Sequence, residues 1–326
     1  MATPVLEVKN LKAYFHTRRG VVRAVDGVSF EIHPGEVVSI VGESGSGKTV
    51  CQLSYLRLLP EPPLKIEGGE VLLDGKQNLL KATPSQIRFV RGNQISMVFQ
   101  EPMTSLNPYL TVGTQLIEPL IVHRKLSRKE ALRDAMAALD RVGIADSTEA
   151  IKRYPHEFSG GMRQRVMIAM ALTTKPKLLI ADEPTTALDV TVQSQILSLL
   201  RDIQKDTGMA ILFITHDLGV VASIADKVVV MYAGKVMEKG AVDPIFYETQ
   251  HPYTHALMRA TPRTDIPQER LQAIPGTAPD LTRLAKGCPF WGRCEHQLSV
   301  CENTFPPAKR FAPLHETYCH LEGLPV

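Results

Sequence analysis

A glycine-rich loop that ends in lysine and threonine follows the apolar run VVSIV at 37–41. Its residues match G-x-x-x-x-G-K-[ST] at every fixed position and are Gly42, Glu43, Ser44, Gly45, Ser46, Gly47, Lys48 and Thr49. Glycines let backbone N–H groups converge on phosphate oxygens, and the helix that follows directs its positive end at the same anions. Lys48 is expected to reach the β- and γ-phosphates, and Thr49 to bind Mg²⁺. The alternative, an ordinary Gly/Ser turn, does not need Lys-Thr at this offset, so we expect a nucleotide site.

Two adjacent carboxylates end a second apolar run. Leu178 to Ala181 (LLIA) is followed by Asp182 and Glu183. Beside a phosphate loop, Asp182 is the expected partner of Mg²⁺, and Glu183 is the candidate general base that polarises the attacking water. A strand that ends in Asp-Glu is a weak signal on its own, and a solvated strand end is the alternative. The phosphate loop earlier in the chain favours the catalytic interpretation.

The composition is that of a globular protein with a full-sized core. Of the 326 residues, 44% are hydrophobic and 22% are charged, and the formal net charge is +3. This charge is too small to indicate a nucleic-acid partner, which usually requires a clustered basic stripe. No apolar run approaches the roughly 20 residues of a membrane span, and the N-terminus lacks a secretory signal. We therefore expect a cytoplasmic chain whose role at a membrane would come through a partner.

The elements that must position these residues alternate between strands and helices. Strand-like runs such as EVVSIVG, ISMVFQ, KLLIADE and AILFITH are separated by helix-like segments, which predicts an α/β fold with a mainly parallel sheet. The early strands and their polar turns predict an additional antiparallel sheet. Ser127 and Glu130 form a capping box that starts a helix with Leu132, Ala135, Met136 and Leu139 on its apolar face. The chain becomes Pro-rich and irregular from about residue 250 onward.

Further motifs complete the nucleotide machinery. Gln100 ends the run ISMVFQ, Ser159-Gly160-Gly161 opens a helix, Asp189 closely follows Glu183, and His216 ends the run AILFITH. A lone glutamine or histidine in such a place carries little information, but the set and its order are specific. Over roughly residues 5–250, the chain resembles the ATP-binding-cassette (ABC) family.

The resemblance implies a role for each motif. Gln100 would contact Mg²⁺ or water, His216 would contact the γ-phosphate, and Asp189 would be the aspartate of the family's D-loop. Ser159, Gly160 and Gly161 would complete the ATP site of a facing cassette, so that ATP joins two subunits and hydrolysis separates them. Phe15 lies where the family places an adenine-stacking aromatic. Tyr14 is the alternative stacking residue, and a packing role beneath the sheet is the alternative for Phe15.

Longer strings narrow the resemblance to importers of dipeptides and oligopeptides. They are MVFQEPMTSLNP at 97–108, SGGMRQRVMIAMAL at 159–172, IADEPTTALDVTVQSQIL at 180–197, HPYT at 251–254 and PGTAP at 275–279. The resemblance implies an ATPase subunit at the cytoplasmic face of the cell membrane. Its partners would be a second, different ATPase, two transmembrane permease subunits and an extracytoplasmic substrate-binding protein. Nickel, glutathione or antimicrobial-peptide import, and a soluble cassette acting on ribosomes or DNA, are the alternatives.

The expected organisation has two parts. Residues 1–255 would form the nucleotide-binding domain, with a helical subdomain at about 101–172. Residues 256–326 would form a small, irregular, cysteine-rich C-terminal domain. We find no internal repeat, so one nucleotide-binding core is expected in each chain.

The five cysteines are unevenly distributed. Cys51 is expected to be a small core residue, whereas five, six and seventeen residues separate Cys288, Cys294, Cys301 and Cys319 in turn. Paired zinc ligands usually lie two to four residues apart, and disulfides are not expected in a cytosolic chain. Four thiolates would suit an iron–sulfur cluster. The importer resemblance implies a [4Fe–4S] cluster with a structural role, and zinc or free structural thiols are the alternatives.

Overall fold

A computed structural model describes residues 3–101, 105–186, 188–261, 273–284 and 286–324. The strands within these residues are β1 Leu6–Thr17, β2 Gly20–Ile32, β3 Val37–Val41, β4 Leu64–Leu73, β5 Gln77–Asn78, β6 Ile95–Val98, β7 Leu178–Asp182, β8 Ala210–Ile214, β9 Lys227–Tyr232, β10 Lys235–Ala241, β11 Lys309–Ala312 and β12 His315–Thr317. The α-helices are α1 Lys48–Tyr55, α2 Pro84–Val90, α3 Val112–Arg124, α4 Arg128–Arg141, α5 Ser147–Ala150, α6 Gly160–Leu172, α7 Val190–Thr207, α8 Leu218–Ile224, α9 Val242–Tyr247 and α10 Pro252–Ala260.

The central sheet has the order β11-β12-β10-β9-β3-β8-β7-β6 within the described residues. From β9 to β6 its strands run parallel, whereas β10, β12 and β11 add antiparallel pairs at one edge. Every residue of β3, β7 and β8 is buried, as expected for parallel strands that are covered on both faces. The carboxyl ends of β3 and β7 therefore bring the phosphate loop and the Asp-Glu pair to the same edge of the sheet. The predicted α/β fold is confirmed.

A second, antiparallel sheet lies over one face of this core. Its order is β2-β1-β4-β5, and its buried residues share one hydrophobic cluster with β3, α1 and α2. Asp74 and Gly75 connect β4 to β5 with positive φ angles of 52° and 66°, conformations that aspartate and glycine tolerate better than most residues. The sheet places Phe15 of β1 and Ala24 of β2 beside the phosphate loop.

Helices α3 to α6, joined by loops, lie between β6 and β7 in the described residues. The capping box at the start of α4 is confirmed, since Ser127 Oγ accepts from Glu130 N–H and Glu130 Oε2 accepts from Ser127 N–H. The predicted apolar face is wrong in one residue. Leu132 is 40% exposed, and Ala131 is buried beside Ala135 in its place. In the described part of the chain, no helix has the length and apolar character needed to cross a bilayer.

The C-terminal region is more ordered than its composition suggested. The hairpin β11–β12 extends the central sheet, because Glu238 and Lys239 of β10 pair with Thr317 and Glu316 of β12. The predicted small, irregular C-terminal domain therefore includes one short hairpin in the residues that the structure describes. Helix α10 also runs across residue 255, the predicted domain boundary, which stays a prediction. Short strands in a Pro-rich segment carry little periodicity, and this explains why the pattern did not reveal them.

Candidate nucleotide site

Two glycines hold the ends of the phosphate loop against neighbouring backbone. Gly42 has φ 151°, and a Cβ atom there would lie 2.1 Å from the carbonyl oxygen of Met231. Gly47 has φ 97°, and its Cβ would lie 2.2 Å from the carbonyl oxygen of Ala24. Neither position can accept a side chain without backbone movement. The loop is therefore clamped between β9 and β2 just before α1 begins.

Lys48 is buried inside the concave side of this loop. Its Nζ donates to the carbonyl oxygens of Gly42 at 2.7 Å and Glu43 at 3.0 Å. Burial lowers the pKa of Lys48, while the carboxylates of Glu183 and Asp182 act in the opposite direction. The ammonium group is thus held by weak carbonyl partners beside two acidic residues, where an anion would be a stronger partner.

Asp182 presents a buried carboxylate oxygen that suits a cation. The residue is 5% exposed, and its Oδ1 has no hydrogen-bond partner among the described residues. Burial, reinforced by the negative charge of Glu183, raises the pKa of Asp182 to about 6. Such an orphaned oxygen is costly in a folded protein and is satisfied when a cation binds to it. Asp182 therefore fits Mg²⁺ chemically, and Thr49 of the phosphate loop lines the cleft described below.

The structure brings three predicted catalytic residues together. Gln100 Nε2 donates to Glu183 Oε2 at 3.1 Å, and His216 Nδ1 lies 3.1 Å from Glu183 Oε1. Thr186 Oγ1 also donates to Glu183 Oε2 at 3.0 Å, a contact that the sequence did not suggest. Glu183 itself has φ 45°, an uncommon backbone conformation that is often found at functional sites. Its carboxylate is consequently fixed from three sides.

These residues open onto one cleft of about 760 Å³. The cleft is lined by the whole phosphate loop, by Gln100, Glu183 and His216, and by Phe15 at the side of β1. Leu257 and Leu281 from the C-terminal part of the chain also line it, although sequence patterns gave no sign of them. A volume of this size suits a nucleotide, and the lining supplies both an aromatic ring and the phosphate loop.

The Ser-Gly-Gly turn and Asp189 lie outside the described lining of this cleft. Ser159 caps α6 by accepting from Met162 N–H, and Asp189 caps α7 by accepting from Val192 N–H. The two caps are adjacent, since a Cβ atom on Gly161 would lie 2.7 Å from Val192 Cγ1. Gly160 is exposed at the same turn. The Ser-Gly-Gly turn therefore forms an exposed helix N-terminus that is separate from the cleft lined by the phosphate loop.

Glu43 is engaged in contacts that the loop pattern did not predict. Its backbone N–H donates to Tyr253 Oη at 2.9 Å, and its carboxylate forms a two-point ion pair with Arg293. The backbone N–H and the carboxylate of Glu43 therefore both contact the C-terminal part of the chain. Because these contacts span more than 200 residues, no local motif could have revealed them.

The four C-terminal cysteines line a single small cavity. Cys288, Cys294, Cys301 and Cys319 surround it together with Phe290 and Trp291, and none of them is in a disulfide. Burial raises the pKa of Cys288 to about 12 and that of Cys294 to about 11. Among the described residues, however, no three His, Cys, Asp or Glu side chains are grouped closely enough to hold a metal ion. The thiols share a cavity without converging on one point.

Comparison with known families agrees with this architecture. Residues 25–186 match the family described as ABC transporter, and residues 237–301 match the family described as oligopeptide/dipeptide transporter, C-terminal region. The structure is also similar to the ATP-binding cassette MJ0796, solved as a dimer in a post-hydrolysis state with ADP and Pi. That likeness has a TM-score of 0.65 and 28% identity, and it covers 73% of this chain and 98% of the other. The fold and the site thus define an ABC-type ATPase.

Two curated relatives show which kind of ABC ATPase the chain is similar to. The dipeptide transport ATP-binding protein DppD of Bacillus subtilis is 50% identical over 98% of this chain and 95% of its own length. The oligopeptide transport ATP-binding protein OppD of Salmonella typhimurium is 49% identical over 96% of this chain and 92% of its own. The chain belongs to the ABC transporter ATP-binding proteins that carry the oligopeptide/dipeptide transporter C-terminal region.

Proposed function

We propose that this chain is the ATP-hydrolysing subunit of an importer that takes up dipeptides or oligopeptides across the cytoplasmic membrane. The observation that carries the proposal is the arrangement of Gln100 and His216 around Glu183, in the same cleft as the phosphate loop. The names of the two curated relatives support peptides as the cargo.

Nucleotide binding would use residues that are already in place. The loop N–H groups from Ser44 to Thr49 would hold the phosphates, supported by the N-terminal end of α1. Lys48 would exchange its carbonyl partners for the β- and γ-phosphate oxygens. Phe15, at the side of the cleft, would stack on the adenine ring.

Thr49, Asp182 and Gln100 would hold Mg²⁺. The unpartnered Oδ1 of Asp182 supports this assignment. When bound, the cation would neutralise charge that develops on the phosphate oxygens during transfer. To take this role, Gln100 would give up its contact with Glu183; it lines the cleft just beyond the end of β6.

Hydrolysis would require Glu183 as general base. Its carboxylate would accept a proton from the attacking water, while His216 orients that carboxylate and contacts the γ-phosphate. Lys48 and the loop N–H groups would stabilise the charge on the departing diphosphate. The contacts from Gln100, His216 and Thr186 restrict the rotation of Glu183, which favours a reproducible position for the water.

A second cassette would close the site. Ser159, Gly160 and Gly161 at the N-terminus of α6, with Asp189 beside them, would meet the γ-phosphate bound by the partner ATPase. We propose a heterodimer with a different ATPase, joined to two transmembrane permease subunits and served by an extracytoplasmic binding protein. This assembly would hold the chain at the cytoplasmic face of the membrane.

The C-terminal cysteines would hold a [4Fe–4S] cluster with a structural role. Four thiols lining one cavity supply the usual ligand set of such a cluster. The chemistry that the cluster would supply is cross-linking of the C-terminal segments.

Purification of the full chain from detergent-solubilised membranes, combined with uptake of a labelled dipeptide by the same cells, tests the proposal. We expect two permeases and a second ATPase to co-purify, and we expect uptake to stop in cells that carry Glu183→Gln. Recovery of ribosomes without membrane proteins would overturn it. Loss of nickel or glutathione uptake with intact dipeptide uptake would overturn the assigned cargo.

A further inference from the structure

Arg293 joins the C-terminal part of the chain to the phosphate loop. Its Nη1 donates to Glu43 Oε2 at 2.7 Å, and its Nη2 donates to Glu43 Oε1 at 3.0 Å. The Arg293 side chain is 9% exposed. Two-point pairs of this kind are shorter and stronger than single contacts, and the low exposure reduces screening by solvent.

The guanidinium group of Arg293 is itself rigidly held. Nε donates to the carbonyl oxygen of Pro275 at 2.8 Å, and Nη1 also donates to Tyr232 Oη at 3.0 Å. The group lies 5.7 Å from the ring centre of Tyr232 and 5.9 Å from that of Phe290. Arg293 ends a short helical turn that connects Cys288 to Cys294. The position of its charge is therefore set by the C-terminal segment.

Glu43 transmits that position to the groups that bind phosphate. Its carbonyl oxygen accepts from Lys48 Nζ at 3.0 Å and from Ser46 N–H at 3.2 Å. Glu43 directly follows Gly42 and lines the cleft. Without a neutralising partner, this carboxylate would repel nucleotide phosphates, and the backbone around it would be free to shift.

We propose that Arg293 is a positioning residue for nucleotide binding, which acts by holding and neutralising Glu43 in the phosphate loop. The C-terminal segment thereby sets the affinity of the loop for ADP and ATP. This role requires a nucleotide at the loop but does not depend on the identity of the peptide cargo or of the partner subunits.

The test is a double-mutant cycle on nucleotide affinity. Equilibrium binding of Mg²⁺ and a fluorescent ADP derivative is measured for the full-length chain, R293Q, E43Q and the double variant. We expect R293Q to bind about tenfold more weakly and E43Q about threefold more weakly, since only R293Q leaves a carboxylate unpaired. The double variant should bind as E43Q does, because removal of the unpaired charge restores part of the affinity.

The matched control is R259Q. Arg259 lies in the same region, where it pairs with Glu295 at 3.8 Å in an exposed position. We expect R259Q to bind nucleotide as the unaltered chain does, and we expect the R293Q defect to shrink as salt is added. Unchanged affinity in R293Q would overturn the proposal. A double variant that binds more weakly than R293Q would also overturn it. That result would mean that the ion pair stabilises the fold and does not act by neutralising Glu43.

If R293Q does not fold, the nucleotide affinity of R293K tests the proposal instead. Lysine keeps the charge but loses the two-point geometry. We then expect about threefold weaker binding than in the unaltered chain, from loss of one charge-assisted contact. Affinity equal to that of the unaltered chain would contradict the role of the guanidinium fork.

Discussion

His216 Nδ1 lies 3.1 Å from Glu183 Oε1, although the two residues follow different strands. The parallel neighbours β7 and β8 direct both side chains to the same edge of the sheet. The histidine is 60% exposed and the glutamate 16% exposed, so the pair borders the cleft and remains accessible to nucleotide. This relationship underlies the proposed hydrolysis mechanism.

Replacement of His216 by alanine should slow ATP turnover and spare nucleotide binding. The variant loses the group that orients Glu183, and we expect kcat to fall by about 10² while nucleotide affinity changes little. Steady-state hydrolysis and equilibrium binding measure the two effects separately. His33→Ala, in a partly exposed pair with Glu31, is the control and should leave both quantities unchanged. A loss of affinity that matches the loss of turnover would contradict this role.

Binding of Mg²⁺ should weaken in acid because of Asp182. Its pKa is raised to about 6, and only the ionised carboxylate is a good magnesium ligand. The protonated fraction of Asp182 grows as pH falls below 6. We therefore expect the affinity for Mg²⁺ in the nucleotide complex to fall about tenfold for each pH unit below that value. Titrations between pH 5 and 8 measure this dependence. Asp182→Asn should bind weakly with a flatter profile, whereas equal slopes in both proteins would contradict the assignment.

Stability should also fall in acid because of His251. This residue is fully buried, and burial lowers its pKa from 6.5 to about 3. The unfolded chain therefore takes up a proton below pH 6.5 that the folded chain does not, and stability is lost as pH falls. We expect about 2 kcal/mol less unfolding free energy at pH 5 than at pH 7 from this group.

The variant His251→Asn isolates this contribution. Asparagine can still accept the Tyr253 N–H bond that caps α10, but it does not titrate. Urea unfolding at pH 5 and pH 7 should show a smaller pH difference in the variant than in the unaltered chain. An identical difference in both proteins would exclude His251 as the source.

The cysteine cavity should hold iron in protein purified without oxygen. Since the pKa of Cys288 and that of Cys294 are raised, the thiols stay protonated near neutral pH until a metal displaces the protons. We expect a coloured protein with about four iron atoms per chain, and a loss of most of this iron in Cys294→Ser. Cys51→Ala, outside the cavity, is the control. A colourless protein with one zinc ion per chain would contradict the cluster.

The nucleotide machinery was predictable because each motif is local and ends an apolar strand. Gln100, Glu183 and His216 follow the carboxyl ends of three such strands, and the parallel pairing of these strands brings the three residues together. The contact between Glu43 and Arg293 was not predictable, because it joins residues 250 positions apart through a segment without periodicity. Leu132 was misplaced for a different reason. Periodicity shows that a helix has an apolar face, but it does not show which residues at the two edges of that face neighbouring helices cover. Here they cover Ala131 and leave Leu132 exposed.

Glu183→Gln provides the most direct test of the proposed ATPase mechanism. Glutamine preserves the size of the side chain but cannot accept the proton of the attacking water. We expect ATP hydrolysis to fall by about 10² or more, with ATP affinity within about threefold of the unaltered chain. Glu118→Gln, on the exposed side of α3, should hydrolyse ATP normally. Unchanged hydrolysis in Glu183→Gln would contradict the assignment of Glu183 as the general base.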